Sequence, residues 1–478
     1  MARLITAYEN GKRVTELPIA SAENPFDLVC EVIDKSGESK QARLAEMLPY
    51  LEEQCAYGIE FDPESLAAEV TRVGNMTLHK TLPIQNRMRG CLLDDNGKVV
   101  QYLNPKTWEN EVRDGSKGQV MVETPSHYRR FYTTQEGKFR AMISEFPLPG
   151  YHFVPLQYPS AYEASMQHST GKLSSVVNKT EDYRGGDNSA TVQSWDGTYR
   201  SMLGKPATKL SLTQFREAAR KRNGAATTEW NCYTYGTHKT LWWLFVIEYA
   251  TRNSQAPLNA ELTAEGYHQG GLGVGATDES VSFHSTYFSN LPTIPCGLTD
   301  HFGNGTGEVT HTITADDGAT STVHVNRYRG VEVPFGSNMK WTDGCLFWIQ
   351  ASEENGGTGK NEAWVTEDPA LFNSTTPEAY RFAGIVPSTS ANIKTMLCGE
   401  HGDFLPLIVA GGATSVAPIG DYWSVPVVTE GKSLRGLCLG GFSAYGAAAS
   451  GLACSYSLYA PSSAPSYITS RLCFIPSA

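Results

Sequence analysis

The sequence predicts an α+β fold in which strands and turns outweigh helices. The chain of 478 residues contains 45 glycines and 25 prolines, a composition that is typical of proteins with many turns. Helical periodicity is pronounced in two stretches, 211–223 and 237–253, and beyond residue 256 we find only short strand-like runs. Apolar residues make up 40% of the chain and charged residues 19%, so a folded core is expected.

The chain is longer than one hydrophobic core usually supports, and the residue pattern that predicts its secondary structure changes twice along its length. Residues 1–72 are predicted to form a short helical attachment and oligomerisation segment. Residues 73–148 are predicted to form a small β domain that acts as a spacer. Residues 149–478 are predicted to form one large domain.

The N-terminal segment contains two predicted helices. The first covers 39–57, where apolar residues recur at helical spacing and Pro49 weakens or kinks the helix. A single apolar stripe on so short a segment needs a partner, for example the same segment of another chain. The second helix is predicted over 62–70, with Asp62 as its N-cap and Pro63 as its first residue.

The small β domain is predicted from three strand signals. The turn sequence DDNGK separates Met88–Leu93 from Val99–Leu103, which predicts a hairpin. GQVMVETP, from residue 118, and FRAMISEFPLPGY, from residue 139, supply two more strands that end in proline-containing turns.

The large domain begins with the two helices of strong periodicity. In SLTQFREAARKRN, Ser211 is the predicted N-cap, and the basic residues of the last turn suit the helix dipole. In THKTLWWLFVIEYATRN, apolar residues surround almost the whole helix, which predicts burial on most sides. Glu248 interrupts this apolar surface, and we expect it to be a buried structural carboxylate with an internal partner such as an arginine or backbone amides.

Composition and motifs exclude several classes of protein. The formal net charge of -11 disfavours nucleic-acid binding. The densest apolar run, LWWLFVI, is too short to cross a membrane, and the N-terminus lacks the apolar core of a signal peptide. None of the 10 cysteines forms a CxxC pair and the histidines are dispersed, so we expect free buried thiols, no metal site and no cofactor.

The terminal tract, residues 435–474, has an unusual composition. Between Arg435 and Arg471 it contains no charged side chain; it is built from Gly, Ala and Ser with interspersed aromatic residues. Pro461 and Pro465 argue against a membrane-spanning helix there. Tyrosine offers a large amphipathic contact area with few rotamers, and small residues keep a surface adaptable, as in antibody-like binding sites. Hydroxyl groups and aromatic faces also suit sugars.

Two groups of motifs resemble known families. GCLLDDNGKVVQYL, DGSKGQVMVETPSHYRRF and ISEFPLPGYHFVPLQYPSAYEASM, within 85–170, resemble a segment of bacteriophage and prophage tail proteins. Residues 200–474 resemble the formylglycine-generating-enzyme version of the C-type lectin fold. The matching positions are Phe215 to Arg222, then Glu248, Tyr249, Ala250 and Arg252, then Trp341 to Gly344, and finally Arg435, Gly436, Gly440, Gly441, Arg471 and Phe474.

The resemblance implies a phage tail or fibre-tip adhesin. Receptor-binding proteins of phages, including the variable proteins of diversity-generating retroelements, use this fold and display the terminal tract towards a ligand. The implied partners are a host cell-surface glycan or protein and other virion tail proteins, in a homotrimer located on the virion and made in the bacterial cytoplasm. The expected ligand-binding residues are Phe442, Ser443, Tyr445, Tyr456, Tyr459, Ser463 and Tyr467. Gly440, Gly441 and Phe474 are expected to be scaffold.

Catalysis is not expected from this sequence. The formylglycine-generating enzymes carry a close cysteine pair shortly after the glycines of the terminal motif, whereas here the next cysteine after Gly441 is Cys454. GFSAYG fails as a nucleophile elbow because Tyr445 stands where the second glycine is required. No calcium-binding triplet of C-type lectins occurs, so any sugar recognition is predicted to be calcium-independent. The alternatives are an oxidase of the formylglycine-generating superfamily and a purely structural virion component.

Overall fold

The computed structural model describes residues 8–9, 12–13, 29–33, 39–177, 181–183, 185–187, 204–224, 227–277, 282–315, 317–410 and 419–477. The fold is mixed α+β and mostly strand, with 38% of the described residues in strands and 16% in helices. The α+β class predicted from the sequence is therefore confirmed.

Five α-helices lie in the described part of the chain: α1 Leu44–Cys55, α2 Met76–Thr81, α3 Leu212–Arg220, α4 Tyr235–Tyr249 and α5 Phe283–Phe288. The helix α3 begins at the predicted N-cap, because the Ser211 hydroxyl accepts the N–H of Gln214 and the Gln214 side chain accepts the N–H of Ser211. The helix α4 begins after Thr234 and ends at Tyr249, and the next residue, Ala250, caps it in a left-handed conformation. Both predicted helices of the large domain are confirmed.

The strands of the first third are β1 Tyr8–Glu9, β2 Lys12–Arg13, β3 Val29–Ile33, β4 Ser39–Arg43, β5 Ala56–Phe61, β6 Thr71–Gly74, β7 Arg89–Leu93, β8 Val99–Tyr102, β9 Gln119–Glu123, β10 His127–Thr133, β11 Phe139–Ser144 and β12 His152–Val154. Those of the middle part are β13 Tyr158–Pro159, β14 Ser165–Gln167, β15 Lys172–Ser174, β16 Gly186–Asp187, β17 Ala207–Thr208, β18 Trp230–Cys232, β19 Leu258–Asn259, β20 Gln269–Gly270, β21 Gly307–Thr314, β22 Thr320–Tyr328 and β23 Val331–Glu332. The last are β24 Met339–Gln350, β25 Asn361–Val365, β26 Arg381–Val386, β27 Ala391–Cys398, β28 Asp403–Ala410, β29 Tyr422–Ser424, β30 Lys432–Gly441, β31 Ser450–Tyr456, β32 Ile468–Thr469 and β33 Leu472–Phe474.

The largest sheet has nine strands and carries the terminal tract. Eight of its strands follow the order β26-β25-β24-β30-β31-β29-β27-β28, and β32 pairs in parallel with β24. Its two end strands, β26 and β28, contact each other, so the sheet is nearly closed. Strand β33, the last of the chain, lies between β13 and β18. Both ends of the large domain therefore meet in one small sheet.

The predicted hairpin and strands of the region 73–148 are confirmed. Strand β7 pairs with β8 and with β9, and β11 joins a five-stranded sheet of order β12-β10-β11-β5-β6. The strand β5 belongs to the segment 1–72, so this sheet combines residues from both sides of the predicted boundary at 72.

The two helices predicted in the N-terminal segment differ from the structure. The first is limited to α1 and has strands β4 and β5 on either side, with Pro49 inside it. The second, over 62–70, is wrong. Asp62 accepts the N–H of Glu64 in a local turn, and the guanidinium of Arg252 donates to the carbonyl oxygens of Ser65 and Ala67. These contacts with a distant arginine hold the segment in an irregular conformation and replace the bonds of a helix.

One hydrophobic core runs through the regions on both sides of residue 148. It includes Tyr57 of β5, Leu92 of β7, Trp243 of α4, Phe347 of β24 and Leu437 of β30, all of them buried. The predicted boundaries at 72 and 148 thus do not coincide with a break in packing. The predicted spacer packs against α4, because the ring of Trp243 lies 5.2 Å from that of Phe131 in β10 and 5.6 Å from that of Phe139 in β11. The same helix contacts β24 of the nine-stranded sheet.

Glu248 is a structural carboxylate, as predicted. Its side chain is buried on α4 and accepts Nε of Arg329 at 3.1 Å and Nη2 of Arg329 at 2.6 Å. The hydroxyl of Tyr328 donates to its other oxygen at 3.0 Å. The predicted arginine partner is therefore confirmed, and it is supplied by the turn that follows β22.

Candidate functional site

The terminal tract forms two paired strands joined by a tight connection. Strands β30 and β31 are antiparallel, with Cys438 opposite Tyr456, and residues 442–449 turn through two short 3-10 helices. Gly441 has a φ of +87°, and a Cβ atom there would lie 2.6 Å from the carbonyl oxygen of Ala449. Glycine is required at 441 by both the conformation and the close approach of backbone. The predicted scaffold role of this glycine is consistent with that geometry.

The segment after β31, residues 457–467, is tied to the scaffold along its length. The carbonyl oxygen of Tyr459 accepts the N–H of Gly436 at 3.0 Å, and that of Tyr467 accepts the N–H of Met339 at 3.2 Å. Between them, a proline carbonyl accepts the first N–H of α3 at 3.1 Å. These bonds connect the segment to β30, β24 and α3, so its side chains are carried on a stiff base.

Five aromatic side chains of the tract meet in one group, which we call the aromatic cluster: Phe442, Tyr445, Tyr456, Tyr459 and Tyr467. The ring of Phe442 lies 5.1 Å from that of Tyr467 and 5.5 Å from that of Tyr445. The Tyr445 ring lies 6.3 Å from the Tyr456 ring, and the Tyr459 ring lies 6.0 Å from the Tyr467 ring. These separations are typical of favourable ring contacts.

Three tyrosines of the aromatic cluster reach the surface. Tyr445 is 44% exposed, and Tyr459 and Tyr467 are half-buried. The Tyr459 ring also packs edge-on against the buried ring of Trp341, at 6.5 Å. The outward face of the aromatic cluster therefore consists of partly exposed phenol rings that rest on buried aromatic side chains.

Phe442, Ser443 and Tyr456 are buried, so the expectation that they form part of an exposed contact surface is wrong. Phe442 and Tyr456 pack in the core between the nine-stranded sheet and α3. The Tyr456 hydroxyl donates to the carbonyl oxygen of Ala449 at 2.6 Å, and the Ser443 N–H donates to the carbonyl oxygen of Ser337 at 2.9 Å. Their physical role is to support the outward tyrosines.

Two phenol groups of the outward face, those of Tyr445 and Tyr459, remain protonated at neutral pH. Burial raises the pKa of Tyr445 above its usual value. Burial, and then the hydrogen bond with Tyr467, raise the pKa of Tyr459. The hydroxyl oxygens of Tyr459 and Tyr467 lie 2.9 Å apart and share a hydrogen bond. Protonated hydroxyls can both donate to and accept from the hydroxyl groups of a ligand.

Sequence reasoning missed a neighbouring element, the short helix α5. It lies beside the turn 443–445, and the Ser466 hydroxyl donates to the carbonyl oxygen of Ser289 at its end, at 3.2 Å. The next residue, Asn290, has a buried amide oxygen with no hydrogen-bond partner among the described residues. The six residues of α5 show no periodicity that a sequence pattern could have used.

Ser463 is the remaining predicted contact residue. It is half-buried and lies in a turn that is closed by a hydrogen bond from its own backbone N–H.

The cysteines of the tract are separate buried thiols. Cys438, Cys454 and Cys473 are free, and burial raises the pKa of each of them. Among the residues that the structure describes, no group of His, Cys, Asp and Glu side chains has the arrangement of a metal site. In the same residues, no helix is both long and apolar enough to span a membrane.

No protein-family model matches the chain, and no curated protein matches it either.

Proposed function

We propose that this chain is a tail or fibre-tip protein of a bacteriophage or prophage. Its terminal tract, on a C-type lectin fold of the formylglycine-generating-enzyme type, binds a ligand on the host cell surface without turnover. The observation that carries the proposal is the outward face of the aromatic cluster, formed by Tyr445, Tyr459 and Tyr467 on a buried base.

The proposed fold is supported by contacts between the stretches that carry the resemblance. The guanidinium of Arg216, on α3, donates to both carboxylate oxygens of Asp343 in β24. Trp341 of the same strand lies opposite Cys438 of β30, and its carbonyl oxygen accepts the Ser470 hydroxyl at 2.8 Å. Motifs that are far apart in the sequence thus meet around one strand.

The chemistry of the outward face favours a glycan or a hydroxyl-rich protein surface. Phenol rings stack on the apolar faces of sugars, and their hydroxyls exchange hydrogen bonds with sugar hydroxyls. Because the rings are held by packing and by the Tyr459–Tyr467 hydrogen bond, little side-chain entropy is lost when a ligand binds.

Assembly as a homotrimer belongs to the same proposal. A few partly exposed rings supply only modest affinity at one site. Several copies on one particle convert such weak contacts into stable attachment, because the second and third contacts form at high effective concentration.

The test is attachment of the purified full chain to host envelope material. We expect Tyr445→Ala to reduce attachment at least tenfold without changing the melting temperature. Tyr102→Ala is the matched control, because Tyr102 is also 44% exposed but lies outside the aromatic cluster. The expected result for this control is unchanged attachment.

Two results would contradict the proposal. If wild type and Tyr445→Ala attach equally well, the aromatic cluster does not bind the ligand. That result would favour a structural virion component. Copper-dependent oxygen uptake on a cysteine peptide would favour the oxidase instead.

A further inference from the structure

A cavity of about 310 Å³ lies between the first turns of α4 and strands β10 and β12. The side chains that matter for its chemistry are Arg129, His152, Phe153, Lys239, Glu367 and His401. None of them belongs to the terminal tract. The volume is at the lower end of the range for ligand sites, so the cavity suits a small molecule or one unit of a larger one.

The inner part of the cavity holds two cations and one carboxylate. The Lys239 side chain is fully buried, pairs with Glu367 and donates to the carbonyl oxygen of His401 at 3.0 Å. Nη2 of Arg129 donates to both oxygens of Glu367, at 3.0 and 2.8 Å. Two cationic side chains therefore share one carboxylate, and burial, followed by the charge of Arg129, lowers the pKa of Lys239. Glu400 also borders the cavity, but its side chain is 84% exposed and is screened by water.

Nη1 of Arg129 is a buried donor with no hydrogen-bond partner among the described residues. The Arg129 side chain as a whole is only 14% exposed. A buried N–H of a charged group is costly when it has no acceptor, and an acidic ligand oxygen would supply one. The backbone at the start of α4 is not free for this purpose, because the Glu367 carboxylate already lies over Gly236.

The cavity is also lined by the imidazole of His401, by threonine hydroxyls of α4 and by the ring of Phe153. Burial lowers the pKa of His401, so its imidazole is neutral at pH 7 and can both donate and accept. Phe153 is 59% exposed, which leaves a ring face available at the edge of the cavity. Hydrogen-bonding groups beside an accessible ring face suit a sugar, whose hydroxyls need partners and whose faces stack on aromatic rings.

We propose that this cavity binds one carboxylate-bearing sugar unit, a uronic acid, with its carboxylate on Arg129 and its ring against Phe153. This inference deepens the proposed function by naming acidic glycans as a ligand class, and it rests on that function for the choice of a sugar. Three features of the cavity support this ligand: a carboxylate shared by two cationic side chains, the unpartnered Nη1 of Arg129 and the exposed ring of Phe153.

The experiment is a titration of the full chain with glucuronate and galacturonate, each compared with its neutral counterpart, glucose or galactose, by ligand-observed NMR. We expect at least one uronate to bind at least tenfold more tightly than its neutral sugar. Arg129→Gln should weaken uronate binding at least tenfold, and Phe153→Ala should weaken it while leaving the melting temperature unchanged. Phe146→Ala, at a similarly exposed phenylalanine that does not border the cavity, should have no effect.

The proposal is overturned if neither uronate binds, if the neutral sugars bind equally well, or if Phe153→Ala binds like wild type. The Phe153 variant keeps the test decisive should Arg129→Gln fail to fold. Loss of attachment in Tyr445→Ala together with no uronate binding would reject this inference alone. Uronate binding without an effect of Tyr445→Ala would reject the role of the aromatic cluster alone.

Discussion

The phenolic oxygens of Tyr459 and Tyr467 lie 2.9 Å apart, at hydrogen-bonding distance, on the outward face of the aromatic cluster. The two residues are eight positions apart in a segment without regular secondary structure. Their backbone carbonyls are held by β30 and β24, so the hydroxyl contact joins two points that the scaffold already fixes. The pair is therefore a pre-organised polar feature of the surface.

This pair can be measured by a double-mutant cycle. We expect Tyr459→Phe and Tyr467→Phe each to lower the free energy of unfolding slightly, with a coupling energy of about 1 kcal/mol between them. The reason is that each single variant removes the same hydrogen bond. Urea denaturation of the four proteins measures the coupling, and strictly additive effects would show that no hydrogen bond forms.

Substitution at Tyr456 should affect stability, in contrast to substitution at Tyr445. Tyr456 is fully buried, so Tyr456→Ala removes a core ring and is expected to cost about 3–5 kcal/mol. Tyr445→Ala removes a ring that is partly in water and should change the free energy of unfolding by less than about 1 kcal/mol. Chemical denaturation distinguishes the two variants. Similar losses for both would mean that the outward face is part of the core.

Removal of the Glu248 carboxylate should destabilise the fold strongly. Glu248→Gln leaves the guanidinium of Arg329, which is nearly buried, without its counter-charge, and we expect a loss of about 3–5 kcal/mol. The double variant Glu248→Gln with Arg329→Met should recover part of this loss, because no buried charge remains. Thermal and urea unfolding provide the measurement. A neutral effect of Glu248→Gln would contradict the structural role.

Asp421 should make stability depend on pH. Burial raises the pKa of its carboxyl from 3.8 to about 8, although it accepts the N–H of Ala453 at 2.5 Å. Because the folded protein binds this proton more tightly than the unfolded chain, the contribution of Asp421 to stability is largest below about pH 4. It is lost as the pH rises to about 8.

The control for this effect is Asp421→Asn, because the asparagine side chain has the same shape as aspartate but does not titrate. The free energy of unfolding of wild type minus that of Asp421→Asn should fall between pH 5 and pH 8, by up to about 1.4 kcal/mol per pH unit. Glu332, whose pKa burial raises to about 7, is present in both proteins and cancels in the difference. Urea denaturation at four pH values suffices. A constant difference would show that Asp421 is ionised in the fold.

Local patterns predicted the elements that depend on neighbouring residues. The cap at Ser211, the apolar surface of α4 and the turn between β7 and β8 all lie within a few residues of the structure they specify. Glu248 could be predicted to have a partner, because a lone carboxylate on a buried helix requires one. The helix expected at 62–70 was wrong, because the deciding hydrogen bonds come from Arg252, which no local pattern includes.

The sequence by itself determined that the terminal tract has no charged residue between Arg435 and Arg471, is rich in tyrosine and serine, and is preceded by two well-defined helices. Only the tertiary structure decided which of its rings face water. Tyr445 and Tyr456 have the same chemistry, yet one is partly exposed and the other is in the core. Their orientation follows from the shift in register between Leu439 and Gly441 and from the packing of β31 against its neighbours. The stretch 436–470 has no charged residue that could mark its outer face, so contacts between distant strands set that face.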